Sequence, residues 1–301
     1  MPRFIQSSPV TFTLKGIPGL EDLYLWLSLP FSFMFATTLL GNSTILFLLV
    51  MESALDKPMY PLLAMLLLAD LVSTLAMMPE ILGLLWFGVQ DISLDACLLQ
   101  MFIIHGTSVV HSAVLVAMAF DYVAICDPLH YTTALTRSLV CHLGLVVLVK
   151  SIPLLLRQLT FCQTVIAHTY CDHMAELKMA CGHTGPDCIY GLFVAILVVG
   201  LDCLLLGASY ALILQAVLRL SSRRARLRAL STCSNHLSVI LIAYGSVLFS
   251  ALVHRFGHSL PIHIHILLAN LYLFIPSLFI PVIFGVRTKE IRVMVTKHLN
   301  Y

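Results

Sequence analysis

Charge is what this sequence has little of. Only 11% of its 301 residues are Asp, Glu, Lys or Arg, whereas 59% are apolar. A soluble domain carries about 25% charged residues, so a water-soluble fold of this length would lack the side chains to cover its surface. Catalytic patterns are missing too. There is no metal-ligand spacing, no phosphate-cradling glycine loop and no nucleophile with a base beside it, which argues against an enzyme and against a cofactor or nucleic-acid partner. The inverted repeats and paired Gly/Pro-broken helices of a transporter or channel, the rival class, are absent. No linker, low-complexity tract or period of 20 to 50 residues divides the chain, so 1–301 reads as one domain. Met1 to Glu21 lacks an apolar core with a small-residue cleavage site, and the first apolar run is expected to serve as its own insertion signal.

What the sequence does have is apolar runs of about 20 residues, the length that crosses a bilayer as a helix. They fall at about 24–50, 59–86, 96–121, 139–157, 189–218, 232–254 and 263–285. The expected fold is an all-α membrane protein, a seven-transmembrane helix bundle with a short amphipathic C-terminal helix. Residues 1–23 form one terminus, 158–188 a long loop and 286–301 the tail. Eleven of the 17 Lys and Arg residues fall in one alternate set of loops and the tail, and five in the other. Basic residues stay cytoplasmic, so the tail is expected inside and the N-terminus outside. Cys97, Cys162, Cys171, Cys181 and Cys188 then lie on the exported side, where disulfides form. The four loop cysteines allow three pairings, and spacing does not choose among them. Together with His173 and His183, Cys171 and Cys181 imitate a zinc site, but disulfides are the preferred reading of these cysteines and no metal site is expected.

Polar residues inside the runs are the next signal. Asn42 opens a formal sequon in "LLGNSTILFLL", but an intramembrane amide more often bonds a neighbouring helix. Asp70, in "MLLLADL", is the only acid deep in the second run and must face the bundle interior. Pro79 predicts a kink further along that helix. His105, Ser108 and Ser112 stand at i, i+3 and i+7 and share one stripe, while His111 lies on a neighbouring face. Each histidine has two readings, a ligand contact or a helix-to-helix hydrogen bond. After the fifth run, "RLSSRRARLRALSTCSNH" places five arginines within ten residues. They suit the positive-inside signal, anionic lipid heads or a cytosolic protein partner. In the tail, Ile291, Val295 and Leu299 stand four apart opposite basic residues, as in a helix lying on the inner leaflet.

Taken in order, "GIPGLE", "GN" (Gly41, Asn42), "PMY", "LLADL", "DACLLQMF", "MAFD" with "YVAICDPLHY", "SY" (Ser209, Tyr210), "RALSTCSNH", "LVHRFG" and "GVRTKEIR" cover essentially the whole chain. It resembles the class I, fish-like odorant receptors, rhodopsin-type receptors coupled to G proteins. The resemblance implies a plasma-membrane receptor with a small-molecule odorant site in the outer half of the bundle. It also implies a heterotrimeric G-protein site of the stimulatory type on the inner face. By family pattern Cys97 pairs with Cys171 and Cys162 with Cys181. Arg255, in "HRFG", caps the pocket, and His105 matches the family histidine of the third helix. Ser108, Tyr244, Val247, Leu248 and Ala251 would line it. An arginine facing a partly dry cavity favours a carboxylate, while apolar Ala251 and Met174 suit a hydrophobic odorant.

The chain departs from the family at its inner end. "MAFDYVAIC" stands where the family has an arginine between Asp121 and Tyr122. That arginine bonds the adjacent aspartate when inactive and meets the G protein and inner tyrosines, here Tyr210, when active. In "FIPVIF" Ile280 stands at the family's asparagine and Phe284 at its tyrosine, on either side of Pro281. His111 replaces a glutamate opposite Asp70, which argues against an Asp70-centred sodium site. The fourth run is about six residues short against the family and holds Lys150. The expectation is a surviving fold with weak or absent coupling, the alternative being a receptor remnant that does not signal.

Overall fold

The computed structural model describes residues 11–52, 59–126, 162–171, 179, 185–219, 222–256 and 260–299; the side chains of 121–126, 185–188, 190–192, 194–195, 225, 228, 232, 250–256 and 299 are outside that description. Helices run over Tyr24–Met51 (α1), Met59–Phe87 (α2), Leu94–Cys126 (α3), Gly185–Arg219 (α4), Arg223–Phe256 (α5), Ile262–Arg287 (α6) and Lys289–Leu299 (α7). The first six each hold an apolar window long enough to cross a bilayer. They coincide with six of the seven apolar runs. The fourth run, 139–157, lies outside the described residues, as do Lys150, Met174, His173, Cys181 and His183.

Neighbours in sequence pack as neighbours in space: α1 on α2, α2 on α3, α3 on α4, α4 on α5 and α5 on α6, with α6 returning to α1 and α2. One glycine makes that closure close. A Cβ on Gly41 would stand 3.1 Å from both Cβ and Cγ of Pro281, so α1 and α6 approach there because Gly41 has no side chain. The outward faces carry large apolar side chains such as Trp26, Phe33, Leu40, Phe193 and Leu204. Lipid tails are the natural solvent for such a face.

Several helices outrun the apolar stretch that located them. α5 begins at Arg223, well before the apolar stretch at about 232. Hydropathy marks the lipid-embedded part of a helix, whereas Arg, Ala and Leu are all good helix formers. Of the arginine-rich segment, Arg219 closes α4, while Arg223, Arg224, Arg226 and Arg228 stand in the first turns of α5. α2 runs as one helix past Pro79. α3 runs unbroken through Asp121 and Tyr122 to Cys126.

The tail helix α7 packs on the bundle. Ile291 is fully buried and joins the same apolar cluster as Leu63, Val116 and Phe284, with Met294 and Val295 packed against it. The Tyr60 hydroxyl donates to Glu290, and Lys297 Nζ donates to Glu52 Oε1 at 2.7 Å. The Lys297 ammonium also holds the exposed Glu52 carboxyl below its usual range. The Leu299 side chain is outside the description.

The end of the bundle beside the N-terminal strand, the outer end in the orientation the basic residues imply, is roofed by a three-stranded sheet. Strand β1 (Thr11–Leu14) lies between β2 (Asp91–Ser93) and β3 (Val165–Ile166), antiparallel to β2 and parallel to β3. The segment expected only as a terminal tail thus joins two other loops into one lid. Phe12 and Leu14 point inward and are buried with Ile92, Cys97, Ile166 and Cys171. Cys97 and Cys171 form a disulfide that ties the outer end of α3 to the lid. Cys162 is disulfide-bonded too, and its expected partner Cys181 lies outside the described residues.

Beyond β1 the chain turns at Gly16 (φ 72°) and Gly19 (φ 83°). A Cβ on Gly16 would also stand 2.3 Å from the Tyr24 hydroxyl, which accepts from the Ile17 N–H at 2.9 Å. A Cβ on Gly19 meets nothing within 4 Å. Gly19→Ala should cost about 1–2 kcal/mol from the left-handed backbone alone. Gly16→Ala should cost more, because a clash adds to the same strain. Thermal unfolding of the purified protein should order the midpoints wild type, Gly19→Ala, Gly16→Ala; equal midpoints for the two variants would count against the packing of Gly16 on Tyr24.

Candidate functional site

Polar side chains inside the bundle form four groups between the lid and the inner end. Each joins helices that apolar contact alone would leave free to slide.

Under the lid, Gln100 on α3 is the hub. Its amide donates to Glu80 Oε2 at 2.6 Å and to the Ala76 carbonyl at 2.9 Å, and its carbonyl accepts from the Cys171 N–H at 2.7 Å. Beside it Thr169 in the lid exchanges hydrogen bonds with the Asn270 amide of α6 at 2.9–3.0 Å, both residues fully buried. The lid is thus pinned to α2, α3 and α6 by buried hydrogen bonds as well as by the Cys97–Cys171 disulfide.

Deeper in, Asp202 on α4 accepts on one oxygen from Ser112 of α3 at 2.5 Å and from the Tyr244 hydroxyl of α5 at 2.9 Å. A carboxylate in this setting favours charge-assisted bonds, roughly twice as strong as neutral ones. Three helices meet at one carboxylate oxygen.

The third group surrounds Asp70, which has no solvent exposure. Its Oδ1 accepts from Ser277 Oγ of α6 at 2.6 Å and lies 2.9 Å from His111 Nε2 of α3. The Asn42 amide of α1 donates to the Ser277 carbonyl at 3.0 Å and to Thr38 of its own helix at 2.8 Å. Burying a lone charge at the bilayer centre costs about 2.5–3.5 kcal/mol on insertion scales, and these donors offset that cost.

At the inner end Tyr210 of α4 and His236 of α5 stack with ring planes 23° apart, and Tyr210 Oη lies 3.0 Å from His236 Nδ1. A cavity of about 20 Å³, lined by Met59, Met118, Tyr210, His236, Phe284 and Thr288 among others, sits between them and α6. That volume holds about one water. Tyr210, expected to lose its target with the missing arginine, is engaged by His236.

The residues expected to line the ligand site are spread along two helices. Tyr244 is partly buried and committed to Asp202. His105 and Ser108 stand on exposed positions of α3, and the Ser108 hydroxyl turns back to the Ile104 carbonyl at 2.8 Å. Val247 is 45% exposed and Leu248 61%, the latter seven residues along from Leu241 at 63%, so these two leucines share an outward stripe. Arg255 and Ala251 lie in the outer turns of α5, and Asp121 and Tyr122 in the inner turns of α3; their side chains are outside the description. Pro281 packs on Gly41, and Ile280 and Phe284 are buried in the apolar core.

Sequence reading passed over Asp202, Glu80, His236, Thr169 and Asn270. For Asp202 and Glu80 the signal was present, an acid inside an apolar run, the argument that singled out Asp70. His236 stood in a quoted motif without a role. Nothing in the sequence pairs Thr169 with Asn270, which are 101 residues apart.

Known proteins share both this sequence and this architecture. The family model described as olfactory receptor matches residues 31–301. Olfactory receptor 52P1 of Homo sapiens is 50% identical over 98% of this chain and 95% of its own length. Olfactory receptor 52K1 of Homo sapiens is 48% identical over 97% of this chain and 96% of its own length. The crystal structure of squid rhodopsin superposes with a TM-score of 0.70, covering 94% of this chain and 82% of that one. At 14% identity that likeness concerns the fold, a seven-transmembrane bundle.

Ser112 and Tyr244 donate to the same oxygen of Asp202, so their removal should not be additive. Tyr244→Phe and Ser112→Ala should each cost about 1–3 kcal/mol, the range for disturbing a buried hydrogen-bonded group. The double variant should differ from their sum by about 0.5–3 kcal/mol. Thermal midpoints of the four proteins measure this, and strict additivity would mean that the three groups do not act together.

Proposed function

The chain belongs to the olfactory receptor family, and from that premise we propose an odorant receptor whose ligand site survives while its G-protein coupling is impaired. Members of this family are multi-pass membrane receptors that take odorants and couple to G proteins, not enzymes. The finer reading concerns ligand, partner and orientation. The ligand is a small hydrophobic odorant or short carboxylic acid, held in the outer half of the bundle by Arg255 with His105, Ser108, Tyr244, Val247, Leu248 and Ala251 around it. Arg255 supports an acidic group because a guanidinium binds a carboxylate in a bidentate fork. The partner is a stimulatory G protein, and the inner face is expected to lie against anionic lipid. The chain acts as one receptor domain at the plasma membrane with its N-terminus outside. The excess of basic residues on the opposite side and the Cys97–Cys171 disulfide under the lid support that orientation.

One observation carries the impaired coupling. α3 continues as a helix from Asp121 to Cys126. Relative to a chain with one more residue there, everything after Asp121 is turned by about 100° and drawn in by about 1.5 Å. The arginine that would meet the G protein is missing from that stretch, and its neighbours present different faces. Ile280 and Phe284, buried and apolar at the positions of a polar pair, support the same reading. A receptor that binds but does not signal is the second reading, favoured by these same three departures.

Two measurements separate them. In cells carrying a cyclic AMP reporter, short fatty acids should raise the signal weakly or not at all. Inserting Arg between Asp121 and Tyr122 should raise the response at equal surface expression; a robust response of the unaltered chain would overturn impaired coupling. Independently of coupling, short carboxylic acids should raise the thermal midpoint of the purified protein, and Arg255→Gln should abolish that rise. An undiminished rise in Arg255→Gln would remove Arg255 from the site.

A further inference from the structure

We propose that His111 is a tethered replacement for a bound cation at Asp70, so that the inner polar cluster of this receptor is assembled without sodium. The fold family implies such an ion, and the residues present do not fit it. Holding a monovalent cation against a buried aspartate deep in a bilayer takes oxygen ligands and a surplus of negative charge. Here Asp70 supplies one carboxylate, and the facing residue of α3 is an imidazole, not a second carboxylate. His111 Nε2 lies 2.9 Å from Asp70 Oδ1, close enough to donate, and Ser277 Oγ occupies the same oxygen at 2.6 Å. With its Nε2–H donated to the carboxylate, the imidazole presents positive potential to the place a cation would take. A cation there would have to displace the imidazole or lie against its N–H.

The oxygen inventory sharpens the alternatives. Asp70 Oδ2, Asn42 Oδ1 and Thr74 Oγ1 are buried and accept no hydrogen bond from the described residues. Oxygens of that kind suit a cation or a hydrogen-bond donor such as water equally well. What decides between them is the imidazole. Asp70 is the carboxylate of this cluster, and His111, only 17% exposed at its side chain, already lies within hydrogen-bond reach of it. A neutral donor completes the cluster without setting a cation against the imidazole. The geometry therefore links α2, α3 and α6 through a covalently attached group whose occupancy does not depend on the salt outside.

The test uses the purified full chain in lipid nanodiscs, with thermal unfolding monitored in sodium chloride and in choline chloride at equal ionic strength. The wild-type midpoint should be the same in both salts across a sodium titration. His111→Glu should acquire a saturable, sodium-specific rise of several degrees, because it supplies the missing carboxylate. A saturable sodium response in the wild type, lost in Asp70→Asn, would overturn the proposal. Should His111→Glu fail to fold, His111→Leu gives an independent reading. Its midpoint should fall by several degrees equally in both salts, since Asp70 loses its compensating donor; an unchanged midpoint would show that His111 does not play this part.

Discussion

Hydrocarbon offers no hydrogen bonds, and that single fact organises the interior of this protein. A polar group inside the bundle must find its partner within the protein. Lipid tails are as apolar as the leucines between helices, so apolar packing alone discriminates weakly among helix registers. Polar bonds supply that discrimination. Asn42 ties α1 to the Ser277 carbonyl of α6, and Ser277 ties α6 to Asp70 of α2, which His111 of α3 also meets. Ser112 and Tyr244 carry the circuit on through Asp202 to α4 and α5. Each described membrane-spanning helix is held by at least one of these bonds, and sliding any of them by one turn would strand a buried carboxylate or amide.

The two ends of the bundle are finished by different means. The outer end uses backbone and covalent links: a sheet of three strands, the Cys97–Cys171 disulfide and the Gln100 carbonyl on the Cys171 N–H. Such links are hard to exchange for others. The inner end uses side chains reaching between elements, Tyr60 to Glu290, Arg287 to Ser238 at 2.9 Å, and Tyr210 to His236. Bonds between side chains of separate elements are of the kind that a switching element exchanges. A fixed roof above exchangeable contacts below suits a protein that senses at one face and reports at the other.

Much of this was legible from residues, and the limits have physical reasons. Apolar runs located the described membrane helices because a bilayer imposes a length. They place the start of α5 late, since nothing in hydropathy ends a helix in water. The partnership of α1 and α6 at Asn42 agrees with the expectation for an intramembrane amide. The lid strand β1 escaped notice because its four residues pair only with segments about 80 and more positions away, and local pattern carries no trace of such pairing. α7 was read as amphipathic, but whether lipid or the bundle takes its apolar stripe depends on geometry. Asp202 carries the same sequence signal as Asp70, an acid inside an apolar run, in "GLDCLLL".

Impaired coupling, as proposed, supposes a residue lost from α3 after Asp121, and such a loss would spare the bundle because of where the bonds fall along that helix. Gln100, His111 and Ser112 all precede Asp121, and so do the buried residues Val114 to Ala119 that pack into the main apolar cluster. With that preceding part anchored, deleting one residue turns and draws in only the later part of the helix. The anchored part carries the described side-chain bonds from α3 to α2 and α4. The stretch from Tyr122 onward is the inner end, where a G protein would be met. Under that proposal the cost of the deletion would fall on the stretch after Asp121 and would be small in the interior that folds. A chain altered at this point could retain its lid and its polar circuit while its coupling is lost. Fold and coupling would then be separable because the described bonds that set helix register lie on one side of Asp121.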